Sequence, residues 1–180
     1  EGPNLDLMGT VIRFKPDGSE LEIFAEGLRN VYELTFDDQG LLWGVDNDGP
    51  YKRGWRREEV LQIKRGANYG YPSEGTFGPR EIRDDNAVWI MDAYGSSGIE
   101  WAGNLGLGPG LIVGSCSQIH HLAMHDYDTG RLVRDRTDSR VVATVPGCVT
   151  IVEPGPEQNL IVGIFDTNRL HTFQLAINQP

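Results

Sequence analysis

The 180-residue sequence lacks most of the features that assign a chain quickly to a function class. No apolar run approaches the roughly 20 residues that span a bilayer, and no signal-peptide pattern opens the chain. Amphipathic helical periodicity is missing as well. RREEV (Arg56 to Val60) could be forced into a turn or two of helix, but the β reading of VLQIK (Val60 to Lys64) is better. Basic residues are in deficit, with 16 Lys and Arg against 26 Asp and Glu and a net charge of −10. The acidic residues are scattered and no basic face is visible, which excludes nucleic acid as the expected partner and disfavours an anionic membrane. There is no G-x-S-x-G elbow, and Ser115 beside Cys116 does not sit in one. GNLGLGPG (Gly103 to Gly110) is glycine-rich but opens no helix, so neither a P-loop nor a dinucleotide fingerprint is present. His120, His121 and His125 lie near Asp126 and Asp128, yet strand alternation sends His120 to the face opposite His121 and His125, which does not converge on a zinc ion. Only two cysteines occur, Cys116 and Cys148, on different apolar strands. Packing as buried free thiols is the expectation, with a disulfide the alternative if those strands are neighbours.

What the sequence has is a succession of short β segments broken by turn residues. Val11 to Phe14 and Leu21 to Phe24 flank the turn KPDGSE, where Pro presets φ and Gly supplies a positive one. Tyr32 to Phe36 and Leu41 to Val45 flank DDQG (Asp37 to Gly40), and these four strands have the dimensions of one propeller blade. Val60 to Lys64 follows. Strands resume at Ile99 to Ala102, Leu111 to Gly114, His120 to Tyr127, Val141 to Val145, Val149 to Val152, Leu160 to Phe165 and Leu170 to Leu175. Residues 66–97 are poorer in strand signal and rich in Gly, Pro and aromatics, and are read as a long ordered loop on one face of a single domain covering 1–180. Two internal echoes are audible: VIRFKPDG (Val11 to Gly18) with LAMHDYDTG (Leu122 to Gly130), and LLWGVDND (Leu41 to Asp48) with LIVGIFDTN (Leu160 to Asn168). The fold expected is all-β, a β-propeller with about three four-stranded antiparallel blades. Such an open arc must be covered on its exposed side by further blades, by another chain or by self-association.

The chemistry concentrates between Gly27 and Pro72. A turn carries Arg29-Asn30; a strand, DDQG and a second strand lead into an acidic loop Asp46-Asn47-Asp48-Gly49-Pro50; then come Glu58-Glu59 and GANYGYP (Gly66 to Pro72). Arginine offers a permanently charged fork for a carboxylate. Alternatively Arg29 ties down a neighbouring loop through backbone carbonyls. The oxygens of Asp46 and Asp48 suit Ca²⁺, or they stabilise the turn as Asx residues do. The order G-x-R-N, D-x-x-G, acidic loop with Gly-Pro, E-E-x-x-x-I and G-x-N-Y-G-[WY]-P resembles the soluble quinoprotein glucose/sorbosone dehydrogenases, six-bladed propellers that use pyrroloquinoline quinone (PQQ) and calcium. The resemblance is specific over about a quarter of the chain and makes it part of a six-bladed ring. It implies that Arg29 and Asn30 contact PQQ and that Gly49 and Pro50 hold calcium through backbone carbonyls. It gives Gly70-Tyr71-Pro72 an architectural role. The implied reaction is hydride transfer from a sugar C1 hydroxyl to the quinone, with a general-base His outside this chain.

The family pattern also expects a Lys and a pair of Arg on later strands, where this chain reads LIVGSCSQIHHL and TVPGCVTIV. A non-catalytic propeller that binds protein or carbohydrate is therefore the rival reading. A calcium-dependent propeller lactonase built on Asp46, Asp48, Glu58 and Glu59 is a third. The chain opens at EGPNLDLMGT without an initiator Met, as a processed chain or an excised fragment would. The resemblance and the cysteine pair imply a periplasmic or extracellular location.

Overall fold

The structure is a computed structural model that describes residues 7–50, 56–71, 87–91, 95–123, 139–165 and 169–174. It is all-β, and the described residues hold no α-helix, only 3₁₀ turns such as Ala102–Leu105. The strands are β1 (Val11–Arg13), β2 (Glu22–Glu26), β3 (Val31–Phe36), β4 (Leu42–Pro50), β5 (Arg56–Ile63), β6 (Ala67–Asn68), β7 (Ala87–Met91), β8 (Gly98–Trp101), β9 (Gly110–Gly114), β10 (Cys116–Ala123), β11 (Ser139–Pro154), β12 (Asn159–Ile164) and β13 (Arg169–Gln174).

The strands group as propeller blades do. One antiparallel blade runs β3-β4-β5-β7, and the next runs β8-β9-β10 and closes on the first half of β11. The second half of β11 then pairs with β12, and β12 with β13, to begin a further blade. A small sheet, β1-β2 with β6 added in parallel, precedes them. The strand β3 lies against β8, and β8 against β11, so the first strands of successive blades are brought side by side.

Three details differ from the sequence reading. β1 and β2 do not complete a blade with β3 and β4 but belong to the separate small sheet. Val141 to Val145 and Val149 to Val152 are not two strands; both lie in the single 16-residue β11, which bends from one blade into the next. The segment 66–97, expected as a loop, contains β6 and also β7, the outer strand of its blade. Alternation cannot separate an outer strand from a loop when the flanking residues are polar and glycine-rich.

Why these residues form stacked blades follows from burial on two faces. In β9 (Gly110–Gly114) every residue is buried. Leu111 and Val113 pack on one side with Trp43, Val45, Val60, Ile99, Trp101 and Leu122. Ile112 packs on the other side with Ile119, Val145, Val149, Val152 and Leu160. A middle strand with neighbours on both faces reads as a continuous apolar run, as LIVG and LLWGV do. At the contact between β8–β9 and β11 the backbones come very close. A Cβ added to Gly114 would meet Val149 Cγ1 at 2.3 Å, and one added to Gly98 would meet Val152 Cγ2 at 2.5 Å. Both glycines are needed because the two blades touch here without room for a methyl group. Gly114→Ala is expected to destabilise the chain by about 1–3 kcal/mol, measured as a fall in the urea midpoint at unchanged slope. An unchanged midpoint would mean that the blades slide apart at no cost.

Candidate functional site

The strand β3 begins at a turn held in place from two sides. Gly27, with φ of 73°, has Asn68 Oδ1 only 2.2 Å from where a Cβ would stand, so only glycine fits. The GANYGY segment wraps this point: Tyr69 donates its backbone N–H to the Glu26 carbonyl (2.9 Å), and Tyr71 donates its own to the Gly27 carbonyl (2.7 Å). Asn68 donates through Nδ2 to Glu26 Oε1 and accepts the Gly70 N–H at Oδ1. Tyr69 in turn donates its hydroxyl to the Gln62 carbonyl at 2.6 Å. In this structure the segment is a clasp around the turn.

From the other side, β4 supplies Asp46, which is fully buried. Its Oδ2 accepts the Arg29 backbone N–H at 2.9 Å and its Oδ1 accepts that of Asn30 at 2.6 Å. Carboxylate bonds to two consecutive amides fix the turn far more firmly than neutral acceptors would. Asn47 completes the contact, donating its N–H to the Asn30 carbonyl (3.2 Å) and accepting Arg29 Nη1 at its carbonyl (2.5 Å). Arg29 thus does tie down its neighbour through a backbone carbonyl. A guanidinium has five donors, so its fork is not exhausted by this bond. The Asn30 side chain is exposed.

The stretch Asp46 to Pro50, expected as a loop, is instead the last part of β4. Asp46 stands opposite Glu59, Asn47 opposite Glu58 and Pro50 opposite Arg56, with an irregularity between Asn47 and Pro50. The side chains of Asp48, Gly49 and Pro50 lie outside the described residues, as do His125, Asp126 and Asp128. Among the described residues no group of three His, Cys, Asp or Glu side chains is placed to hold a metal ion. Glu58 Oε1 accepts the Gly95 N–H at 3.0 Å and so links this blade to the approach of β8.

Around that approach, Ser97 donates its hydroxyl to the Val149 carbonyl. Ser115 donates its N–H to the Gln118 carbonyl (2.8 Å), and its hydroxyl lies 3.4 Å from His120 Nε2. The two cysteines are directly opposite each other in β10 and β11 and form a disulfide. This corrects the expectation of free thiols: cross-strand register, invisible in the sequence, brings them together. Cys116 also crowds Gly95, where an added Cβ would stand 2.9 Å from its Sγ. The disulfide therefore joins the segment LIVGSCSQIHHL, which spans β9 and β10, to TVPGCVTIV in β11.

His120 and His121 behave as strand residues of β10. His120 and His121 are both held below the usual imidazole range by burial, His121 further by the Arg140 cation. His121 stands opposite Ile112 and Arg140, His120 opposite Val113 and Val141, on alternate faces as pleating requires.

Two features of this region were not legible in the sequence: the role of Asp46 as the pin of the Arg29 turn, and the docking of GANYGY on Gly27. Both depend on pairings between segments 16 or more residues apart.

The arrangement defines an arc of a β-propeller whose polar turns gather at strand ends. No protein-family model and no curated protein matches the chain. Solved structures do share its fold. One is the PQQ-bound aldose sugar dehydrogenase of Streptomyces coelicolor, with a TM-score of 0.66 and 21% identity over 89% of this chain and 47% of that one. Another is a Thermus thermophilus oxidoreductase described as a glucose dehydrogenase (TM-score 0.62, 19% identity, 91% of this chain and 54% of that one). A third is the apo soluble aldose sugar dehydrogenase of Escherichia coli (TM-score 0.60, 16% identity, 87% and 51%). The chain spans about half the length of these structures.

Proposed function

We propose that this chain is part of a PQQ- and calcium-dependent sugar dehydrogenase of the propeller type, acting on an aldose-like sugar. The observation that carries the reading is the Arg29-Asn30 turn, built at the head of β3 and locked by Asp46 and Asn47 of the strand that runs on to Gly49-Pro50. That is the residue order of the quinoprotein pattern, in a fold shared with proteins described as sugar dehydrogenases. An Arg fork and an exposed Asn amide fit one carboxylate edge of PQQ. When bound, PQQ supplies the two-electron acceptor. Within the chain, Arg29 and Asn30 would bind and orient that edge. Asp46 would keep their backbone from shifting. The backbone carbonyls of Gly49 and Pro50 would offer hard oxygens to calcium, with Asp48 as a further oxygen donor. The general base would come from residues beyond this chain.

The test is a PQQ titration by absorbance and calorimetry with and without Ca²⁺. Saturable, calcium-dependent binding that weakens at least tenfold in Arg29→Ala supports the reading. A folded chain that shows no binding sinks it for this chain taken alone.

A second reading is favoured by one observation. The strands expected to bring Lys and Arg to the cofactor meet instead at Cys116–Cys148. A propeller with that half of the site replaced would be a non-catalytic module binding protein or carbohydrate at the same strand ends. Either form would suit an oxidising compartment such as the periplasm or the cell exterior, where disulfides persist. No described helix is long and apolar enough to cross a membrane. The apolar side also needs a cover. Tyr32, Leu34 and Phe36 are exposed on β3, and a cavity of about 530 Å³ lined by Val11, Ile12, Phe24, Leu34, Phe36 and Ile63 opens between the small sheet and the β3 blade. Further blades, another chain or a second copy would fill it.

A further inference from the structure

The Cys116–Cys148 bridge takes no part in the chemistry proposed for Arg29 and Asn30, yet the two places are physically connected. Both cysteines are half-buried, and Ser117 and Gln118 beside them are exposed, so a reductant in solution has access to the bridge. The pairing of β10 with β11 is irregular between Cys116 and Gln118. Ser117, inside that irregularity, has a φ of 72°. A serine is held in this left-handed region only where its surroundings over-determine the backbone, and such residues gather at switches. Here the bridge fixes the Cys116 side. On the other side Ser115 donates its N–H to the Gln118 carbonyl at 2.8 Å and accepts the Val149 N–H at 3.4 Å.

From the bridge a continuous set of contacts runs to the Arg29 turn. Gly95 lies so close to Cys116 that an added Cβ would stand 2.9 Å from its Sγ. The Gly95 N–H is donated to Glu58 Oε1 at 3.0 Å. Glu58, on β5, stands opposite Asn47 on β4. Asn47 accepts Arg29 Nη1 at its carbonyl and donates its N–H to the Asn30 carbonyl. Cys116 and Arg29 are thus joined through Gly95, Glu58 and Asn47.

We propose that the Cys116–Cys148 disulfide is a redox switch on the Arg29-Asn30 turn, holding it in binding geometry when oxidised and loosening it when reduced. The proposal rests on the reading of that turn as a ligand site. The reductant is a dithiol. One of its thiolates attacks a cysteine sulfur, the S–S bond breaks and a mixed disulfide forms. Its second thiolate then displaces the remaining cysteine. Two electrons and two protons pass to Cys116 and Cys148, which become thiols, and the dithiol becomes a disulfide. The two sulfurs must then part to non-bonded distance. Gly95 has no side chain to yield to Cys116, so its backbone shifts and its bond to Glu58 weakens. With the bridge open, Ser117 also relaxes from the left-handed region.

The experiment is amide hydrogen exchange on the full chain when oxidised, after reduction with a dithiol and after reoxidation. Reduction is expected to speed exchange about fivefold at Gly95, Arg29 and Asn30, and reoxidation to restore it. The Leu41 N–H, held by Asp37 Oδ1 in the same blade, is the control for general loosening and should not change. Equal exchange at Arg29 and Asn30 in both states, or an equal rise at Leu41, overturns the proposal. Glu58→Ala should leave Gly95 responsive while Arg29 and Asn30 no longer respond. An undiminished response at all three amides overturns the connection through Glu58, and should this variant fail to fold, exchange in the unsubstituted chain decides. A dithiol also reduces a quinone, so PQQ is titrated against the double variant Cys116→Ser, Cys148→Ser. Its affinity should be about fivefold weaker than that of the oxidised chain, and equal affinities overturn the switch. If the oxidised chain binds no PQQ, the ligand assignment fails by itself, and exchange at Arg29 and Asn30 still decides the switch.

Discussion

Asp46→Ala is expected to lower stability by about 3–5 kcal/mol and to release the Arg29-Asn30 turn. The side chain is fully buried and both its oxygens accept backbone amides. Removing it leaves the Arg29 and Asn30 N–H groups without those acceptors, and each unsatisfied buried donor costs about 1–3 kcal/mol. The carboxylate-to-amide bonds lost are also of the stronger, charge-assisted kind. Asp46→Asn separates the two contributions. It keeps one carbonyl oxygen but points an amide at the second N–H, so about half of the loss should remain. Urea unfolding gives the stability, and amide exchange at Arg29 and Asn30 reports the turn directly. If Asp46→Ala unfolds at the same urea concentration as the parent chain, Asp46 is not the pin. A loss of PQQ binding in Asp46→Asn at nearly full stability would instead make it a participant in the site.

The second large effect belongs to the disulfide. Cys116 and Cys148 are 32 residues apart in sequence, and closing a loop of that length restricts the unfolded chain by about 3–4 kcal/mol in the chain-entropy account. Treatment with a dithiol, or Cys116→Ser with Cys148→Ser, should lower the unfolding midpoint by a corresponding 2–4 kcal/mol. The loss should fall on the β10–β11 pairing, where the bridge sits between directly opposed residues. Because Ser97 and Val149 contact each other next to that pair, the approach to β8 should loosen as well. Equal midpoints with and without reductant would show that hydrogen bonding in the β10–β11 ladder already suffices. In the non-catalytic reading, reduction should also alter binding at this end of the strands. In the quinoprotein reading, the larger change should follow Arg29→Ala.

The all-β character was legible because strands buried on both faces leave continuous apolar runs. LLWGV and LIVG announce themselves without any partner being known. Turn chemistry marked DDQG, where Asp37 accepts the Gln39 and Leu41 N–H groups at Oδ1 and Trp43 Nε1 at Oδ2, a local arrangement that short-range rules anticipate. The echo between LLWGVDND and LIVGIFDTN also reflects the fold, since β4 and β12 are each the second strand of a blade. The Arg29-Asn30 turn and the Asp46–Pro50 stretch stand out in the sequence by residue order, chemical type and the family resemblance.

Other features required the assembled sheet. The DNDGP run looked like a loop because Asp, Gly and Pro are turn formers, yet pairing with β5 extends β4 across it. The cysteines looked like packing residues because nothing local reveals which strands are neighbours. Nothing local marks Glu33, whose carboxyl accepts amides of β8 and β11 from 66 and 119 residues away. Patterning along one strand determines which residues must be buried and where the chain turns, since those follow from the pleat and from local dihedral preferences. Which strand edges meet, and hence which carboxylate holds which amide, is set by register and blade packing. Those long-range contacts leave no periodic trace in the sequence.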